Sequence, residues 1–323
     1  MGLPVTVYRH TDVGAPVVQP TKPSDWLTII KACLVDGYGD KDPLGWSLDF
    51  VDDINSKMVF RNDESVGGSG GAVQVQFHSG DSVGGHVRFT AANAITAIDE
   101  FVEPAGYRTI VTTSNAVYAN GWTIIGCGRS FFIRPEGCNS GFFSSTGSNN
   151  HSYHKPLWIG DVISAVPNNS HVFTLICATV GITPSSGSTS NTYITNSWGY
   201  TGGSSTALLL GCQLYSPDSS GDTANYYCDY RSHNNSPSSY STDPEVEQIP
   251  MILSPVVFNR EVYGDKSLPT VGCQMAGVYY SRFYGLYGSA VPITRDLGDE
   301  SFDYVYGYRG SCFWVQVTGE WYD

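Results

Sequence analysis

Several groups of residues in this chain have the types and spacing that chemistry requires. Gly67-Gly-Ser69-Gly-Gly71 matches G-x-S-x-G, the sharp turn that presents a serine nucleophile to a histidine and a carboxylate. That turn needs a strand before it and a helix after it. Here the alternating run Ala72-Val-Gln-Val-Gln-Phe77 follows instead, so the glycine-rich stretch reads as a loop. His151-Ser-Tyr-His154 offers two imidazoles to a metal ion. No carboxylate flanks them closely, and the pair reads as part of a Ser/Asn-rich surface loop. His78 and His86 bracket an expected hairpin loop, 79–85, and read as strand-end residues, with Asp81 between them. Asp296, Asp299, Glu300 and Asp303 form the densest acidic cluster, but they lack the alternating ligand spacing of a calcium loop. A glycosidase would need two carboxylates facing each other across a cleft, and nothing in the pattern points to such a pair. The expectation is therefore a non-enzymatic protein with no catalytic residue, no metal site and no cofactor.

The elements that must position these residues are mostly strands. Alternation or short apolar runs predict strands at 3–8, 46–50, 58–61, 72–77, 86–89, 109–112, 123–127, 131–134, 172–178, 207–214 and 312–317. A helix is predicted over 24–35. Trp26, Ile29, Ile30 and Cys33 fall on one face, Pro23 and Asp25 lie in its first turn, and Gly37 stands beyond its end. A second short helix is predicted over 91–101, with Ala91, Ile95, Ile98 and Val102 on one face and Pro104 as the stop. Stretches 139–154, 184–206 and 216–242 are rich in Ser, Gly, Asn and Thr and read as loops. The expected fold class is mainly β: antiparallel β-sandwich or barrel-like sheets with a small N-terminal α/β element and two short helices. A division near residue 65 separates an N-terminal α/β attachment region, 1–65, from a β-rich domain, 66–323. The Gly-rich hexapeptide there reads equally well as a hairpin loop inside one domain.

Charged residues make up 15% of the 323, against a usual share of about 25%, while aromatics reach 13% and include 21 tyrosines. The formal net charge of -13 argues against nucleic acid as a partner, because phosphate binding relies on Lys and Arg. It argues equally against an anionic membrane surface. No run of about 18 apolar residues is long enough to insert in a bilayer, and MGLPVTVYRH lacks the basic and apolar parts of a signal peptide. The eight cysteines are scattered, with no C-x-x-C pair. They read mainly as buried small hydrophobes, with Cys212 and Cys228 as an alternative cross-hairpin disulfide. Tyr279, Tyr280, Phe283 and Tyr287 concentrate rigid aromatic area and form a candidate contact surface. Trp26, Ile29 and Ile30 are the candidate anchors of the first helix.

The opening segment carries a resemblance. Gly2-Leu-Pro-Val-Thr-Val-Tyr-Arg9, then Gly14-Ala-Pro16, Cys33-Leu-Val-Asp-Gly-Tyr-Gly39 and Pro43-Leu-Gly-Trp46 resemble the start of structural proteins of tailed bacteriophages and prophages. Trp158-Ile-Gly-Asp161, Leu268-Pro-Thr-Val-Gly272 and the closing Thr318-Gly-Glu-Trp321 are similar to later parts of that group. The likeness is strongest over 1–60 and patchy from 105 onward. It implies a virion component made in the host cytoplasm and located on the capsid surface, neck or tail. Its expected partners are other virion proteins and further copies of itself. A receptor-binding or glycan-binding tail fibre, with a host surface glycan as partner, is the alternative, and a hydrolase acting on host surface polymer comes third. The resemblance brings no catalytic residues with it.

Overall fold

The structure, a computed structural model, describes residues 2–19, 22, 24–78, 86–111, 121–135, 157–178, 208–215, 223–230, 253–260, 271–281, 294–306 and 312–322. In chain order the first strands are β1 (Leu3–Pro4), β2 (Thr6–Arg9), β3 (Ser47–Asp52), β4 (Lys57–Arg61), β5 (Ala72–His78), β6 (His86–Ala97) and β7 (Glu100–Val111). Then come β8 (Trp122–Gly126), β9 (Ser130–Pro135), β10 (Leu157–Asp161), β11 (Ile163–Ser164), β12 (Phe173–Ala178), β13 (Leu208–Tyr215) and β14 (Thr223–Tyr230). The last are β15 (Ser254–Arg260), β16 (Val271–Ser281), β17 (Thr294–Leu297), β18 (Glu300–Tyr306), β19 (Cys312–Gln316) and β20 (Glu320–Trp321). Among the described residues the single α-helix is α1 (Asp25–Lys31). It runs into a π-helical turn, Ala32–Asp36, that ends on Gly37.

Strands β3 to β7 form a five-stranded antiparallel meander. The larger sheet runs β17-β18-β19-β16-β15-β14-β13-β12-β10-β9-β8-β2, with β11 paired to β16 off that path, and β1 pairs with β20. The protein is thus mainly β and antiparallel, as its alternating runs predict.

Strands β8, β9, β10 and β12 are buried on both faces, and their runs are correspondingly apolar on both parities. Ile124, Phe131, Ile133, Leu157, Ile159, Phe173 and Leu175 point into a core shared with α1 and with Phe60, Val73, Val75, Val87 and Phe89 of the meander. The intervening Ile125, Phe132, Trp158 and Ile176 point into a second core with Val256, Met275, Val278, Phe313, Val315 and Trp321. One wall of strands therefore separates two cores. Immediately after β10 the chain turns so that Ile163 and Ser164 pair with Gln274 and Cys273 of β16. The large sheet therefore curls around the second core in a barrel-like manner.

The second predicted helix, 91–101, is a β-hairpin. Its apolar spacing mimics a helical face because the bulge at Thr96 and the turn after Ala97 interrupt the two-residue period between Ile95 and Ile98. Val87, Phe89 and Ala91 face the first core, whereas Ala92 and Ile95 belong to a third, smaller cluster with Val59 and Ala72. Asp99, at φ +66, closes the turn between β6 and β7.

Within 216–242, read as loop, Thr223–Tyr230 is strand β14, paired along its whole length with β13. Stretches 139–154 and 184–206 lie outside the described residues. The expected division near residue 65 falls between β4 and β5, which pair with each other from Lys57↔Gln76 to Arg61↔Ala72.

Candidate functional site

The segment that carries the resemblance is built into both the sheet and the first core. Tyr8 in β2 is fully buried, and its hydroxyl donates to the Asp42 carbonyl at 2.5 Å. Burial, with the nearby Cys33 and Asp42, pushes the Tyr8 phenol up, so it remains a donor. Trp26, Ile29 and Ile30 of α1 lie in the first core with Trp46 and Trp122. Their apolar surface thus packs against the chain's own sheets.

Between β2 and α1 the chain makes a pinned loop. Oδ2 of Asp12 accepts from the Arg9 amide at 2.8 Å and from the Tyr38 hydroxyl at 2.9 Å. The Asp12 carbonyl accepts from Ala15 N at 3.1 Å, and Trp122 Nε1 donates to the Pro16 carbonyl at 3.1 Å. Burial and the Asp12 carboxylate raise the Tyr38 phenol, which keeps that donor protonated. Gly39, at φ +58, lies so close that a Cβ there would overlap the Val13 carbonyl. Val18 is buried under the loop, yet Val13 and Val17 are 85% and 72% exposed. Two large apolar side chains are therefore presented to solvent on a backbone that is held from several sides.

A second polar assembly joins four remote segments. The Asp161 carboxylate is fully buried and accepts from the Ser69 amide at 2.9 Å, the Ser69 hydroxyl at 2.6 Å and Arg129 Nε at 3.4 Å. The Tyr322 hydroxyl donates to the Asp161 carbonyl, and the Arg129 guanidinium stacks 4.0 Å from the centre of the Tyr322 ring. Burial raises the Asp161 carboxyl above its ordinary range, against the opposing pull of Ser69 and Arg129. Ser69 is thus the serine of the G-x-S-x-G match, with its hydroxyl donating to Asp161 and accepting from Gly71 N at 3.1 Å. A 3-10 turn, Glu64–Val66, precedes it and β5 follows it, which is the reverse of a nucleophile turn. The arrangement ties the Gly-rich connection, the β8–β9 turn and the C-terminal residues together.

The other candidates are spread over the structure. Tyr279 and Tyr280 sit half-buried in β16, and Tyr279 makes an edge contact with Phe302, centroids 5.5 Å apart. Phe283 and Tyr287 lie outside the described residues, as do His151, His154 and Asp81. His78 and His86 stand opposite each other across β5 and β6. The acidic cluster is divided by the β17–β18 hairpin. Asp296 accepts from Ser301 at 2.6 Å, Glu300 accepts from Gln316 at 2.9 Å, and Asp303 is buried beside Arg9. Among the described residues no group of three or more His, Cys, Asp or Glu has a geometry that holds a metal ion. Cys33, Cys127 and Cys273 are free and buried. Cys212 stands opposite Tyr226, and Cys228 opposite Leu210, so those two cysteines are diagonal rather than directly paired in the register.

Asp12, Tyr38 and Arg129 carry no local sequence signal that marks them, and the G-x-S-x-G match that marks Ser69 points to a different role. For Asp161 a signal exists: a carboxylate inside the apolar run Leu157-Trp-Ile-Gly-Asp161-Val-Ile163 must bring a partner with it. No model of a known protein family matches this chain, and no curated protein matches it.

Proposed function

We propose that the chain is a non-enzymatic structural component of a tailed-phage virion. In this reading it is an accessory protein of the capsid surface, neck or tail that assembles through symmetric interfaces with other virion proteins and with its own copies. The observation that carries the reading is the loop at 12–17. It falls inside the segment whose sequence resembles phage structural proteins, and it exposes Val13 and Val17 on a rigidly tied backbone. Exposed apolar groups on an ordered loop bury area at an interface without the entropic penalty of ordering the loop first. The low charged fraction and abundant tyrosine of the chain suit extensive contact surface in the same way. The polar assemblies at Asp161 and Asp12 serve as ties between segments, consistent with a structural role.

The test is the protein content of purified particles. The chain should be present at a copy number set by a symmetry of the particle, and that number distinguishes neck or tail from capsid surface. Absence from purified particles overturns the proposal.

A further inference from the structure

The hairpin formed by the distal halves of β6 and β7 is an arm that doubles back over its own sheet. Strand β6 pairs with β5 from His86↔His78 to Ala92↔Ala72, and beyond Ala92 it has no β5 partner left. The hairpin tip nevertheless returns to the middle of β5. Gln74 Nε2 donates to Asp99 Oδ1 at 2.8 Å, and the Asp99 amide donates to Gln74 Oε1 at 2.8 Å. Lys57 of β4 pairs with the same Asp99 carboxylate. Arg61 Nη2 donates to the Ile95 carbonyl at 3.4 Å. Under the arm, Ile95, Ile98 and Phe101 cover Val59 and Ala72, on the face of the meander opposite the first core. Gln74 is fully buried there.

The bend has identifiable causes. Pairing shifts between Ala91↔Gly106 and Ala92↔Pro104, leaving Ala105 as an extra residue in β7. Glu103, directly before Pro104, sits at φ +51, a conformation that a non-glycine residue before proline strongly disfavours. Strain held at a hinge is relieved when the arm straightens. The arm's apolar cluster is also separate from the two main cores, and of the residues at the bend only Ala91 and Ala105 belong to the first core.

We propose that this arm exchanges between two copies of the chain. In the exchanged dimer the arm of each copy lies on the β4–β5 face of the other, with the same Asp99–Lys57, Asp99–Gln74 and Ile95–Val59 contacts now made in trans. The occupant of that face is specified by the structure itself, because the complementary surface is the chain's own hairpin. The docking contacts are the same in the two states, while at the hinge the Glu103 carboxylate accepts from Asn93 Nδ2 at 2.9 Å and lies 3.0 Å from His171 Nε2, bonds that hold the folded-back form. The balance is therefore set by concentration and by strain against these bonds at Glu103, and exchange is favoured where copies are crowded together. The biological use of such a dimer rests on the assembly reading above. The exchange itself does not, and it is measured on the isolated full chain, so the two can fail separately.

The experiment uses charge reversal. In Lys57→Asp the arm's carboxylate meets a second carboxylate, and in Asp99→Lys the lysine carried by the arm meets Lys57. Each variant alone repels its own arm. When the two are mixed, reciprocal exchange restores an opposite-charge pair at both docking sites. The expected result in sedimentation velocity is a dimer fraction in the mixture about fivefold or more above that of either variant alone, with one chain of each kind in the dimer.

A second measurement covers the case in which a variant misfolds. Equal amounts of isotopically heavy and light wild-type chain are incubated at high concentration and treated with a carbodiimide, which joins carboxylates and amines in contact. Lys57–Asp99 peptide pairs of mixed isotope should appear and rise with concentration. Glu103→Gly should lower the mixed fraction severalfold relative to Glu103→Ala, because both lose the carboxylate contacts to Asn93 and His171 and only glycine relaxes the positive φ. Only same-isotope pairs at every concentration, together with no heterodimer from folded variants, overturns the proposal.

Discussion

Arg9 and Asp303 are separated by 294 positions in the chain, yet Nη2 of the arginine lies 2.7 Å from Oδ2 of a carboxylate with no exposed surface. Thr294 Oγ1 donates to the other carboxylate oxygen at 2.7 Å. Arg9 belongs to β2, at one end of the large sheet, and Asp303 to β18, near the other. The ion pair therefore bridges the two ends of a sheet that curls around the second core.

Removing one partner should strand the other. Asp303→Ala is expected to lower the unfolding free energy by about 2–4 kcal/mol, at the low end for buried pairs because Arg9 retains 25% exposure. Arg9→Met with Asp303→Leu should recover most of that loss, since both charges leave together. Urea denaturation of the single and double variants measures the coupling. A double variant no more stable than Asp303→Ala would show that the pair does not act as a unit.

The two carboxylates Asp161 and Asp99 should respond to pH in opposite senses. Burial holds the Asp161 carboxyl above its unfolded value of about 4. Its contribution to stability is complete below that value and is lost as pH rises through the elevated one. Asp161→Asn should flatten the corresponding fall in urea midpoint above about pH 4. An unchanged pH profile in that variant would count against the assignment.

Burial alone would also raise the Asp99 carboxyl, but hydrogen bonds from Lys57 and Gln74, with the Lys57 charge, hold it below its ordinary value. Its contribution is present above the unfolded value of about 4 and is lost as pH falls through the lowered one. Acid should therefore release the arm. Amide hydrogen exchange at 92–104 should speed up in acid relative to the rest of the meander, after correction for intrinsic rates, and Asp99→Asn should remove that difference.

Gly277 of β16 has φ +69, and a Cβ there would run into the indole of Trp321. Gly277→Ala combines an unfavourable backbone with displacement of a buried tryptophan that also bonds the Gln316 carbonyl at 3.2 Å. A loss of about 2–4 kcal/mol is expected in thermal or urea unfolding. Tryptophan fluorescence should shift to the red if the ring is expelled. A stability within about 0.5 kcal/mol of wild type would contradict this packing.

If the chain assembles as proposed, Val13 and Val17 should matter for assembly and not for folding. Val13→Asp with Val17→Asp should leave the unfolding free energy within about 0.5 kcal/mol, because neither side chain is packed. Incorporation into particles should fall at least tenfold. By contrast Ile30→Ala, in the first core, should cost about 2–5 kcal/mol.

Much of the local structure is legible in the residues alone. Period-two alternation marks β5, and the i, i+3, i+4, i+7 spacing of Trp26, Ile29, Ile30 and Cys33 marks the helix, because each pattern places apolar groups on one face of one element. The short apolar run Phe131-Phe-Ile133 marks β9, whereas β10, Leu157–Asp161, is not among the predicted strands. Net charge and composition likewise depend on no contact. What the sequence could not decide lies in pairings between remote segments. The bulges at Ala105 and Thr96 turn an apparent helix into a bent hairpin, since their effect depends on the partner strand opposite. Arg9 finds Asp303, Ser69 finds Asp161 and Lys57 finds Asp99 only after the strands between them have been placed. Local propensity acts over a few residues, whereas closing a sheet and burying a charge depend on groups far apart in the chain, and those meet only in the tertiary structure.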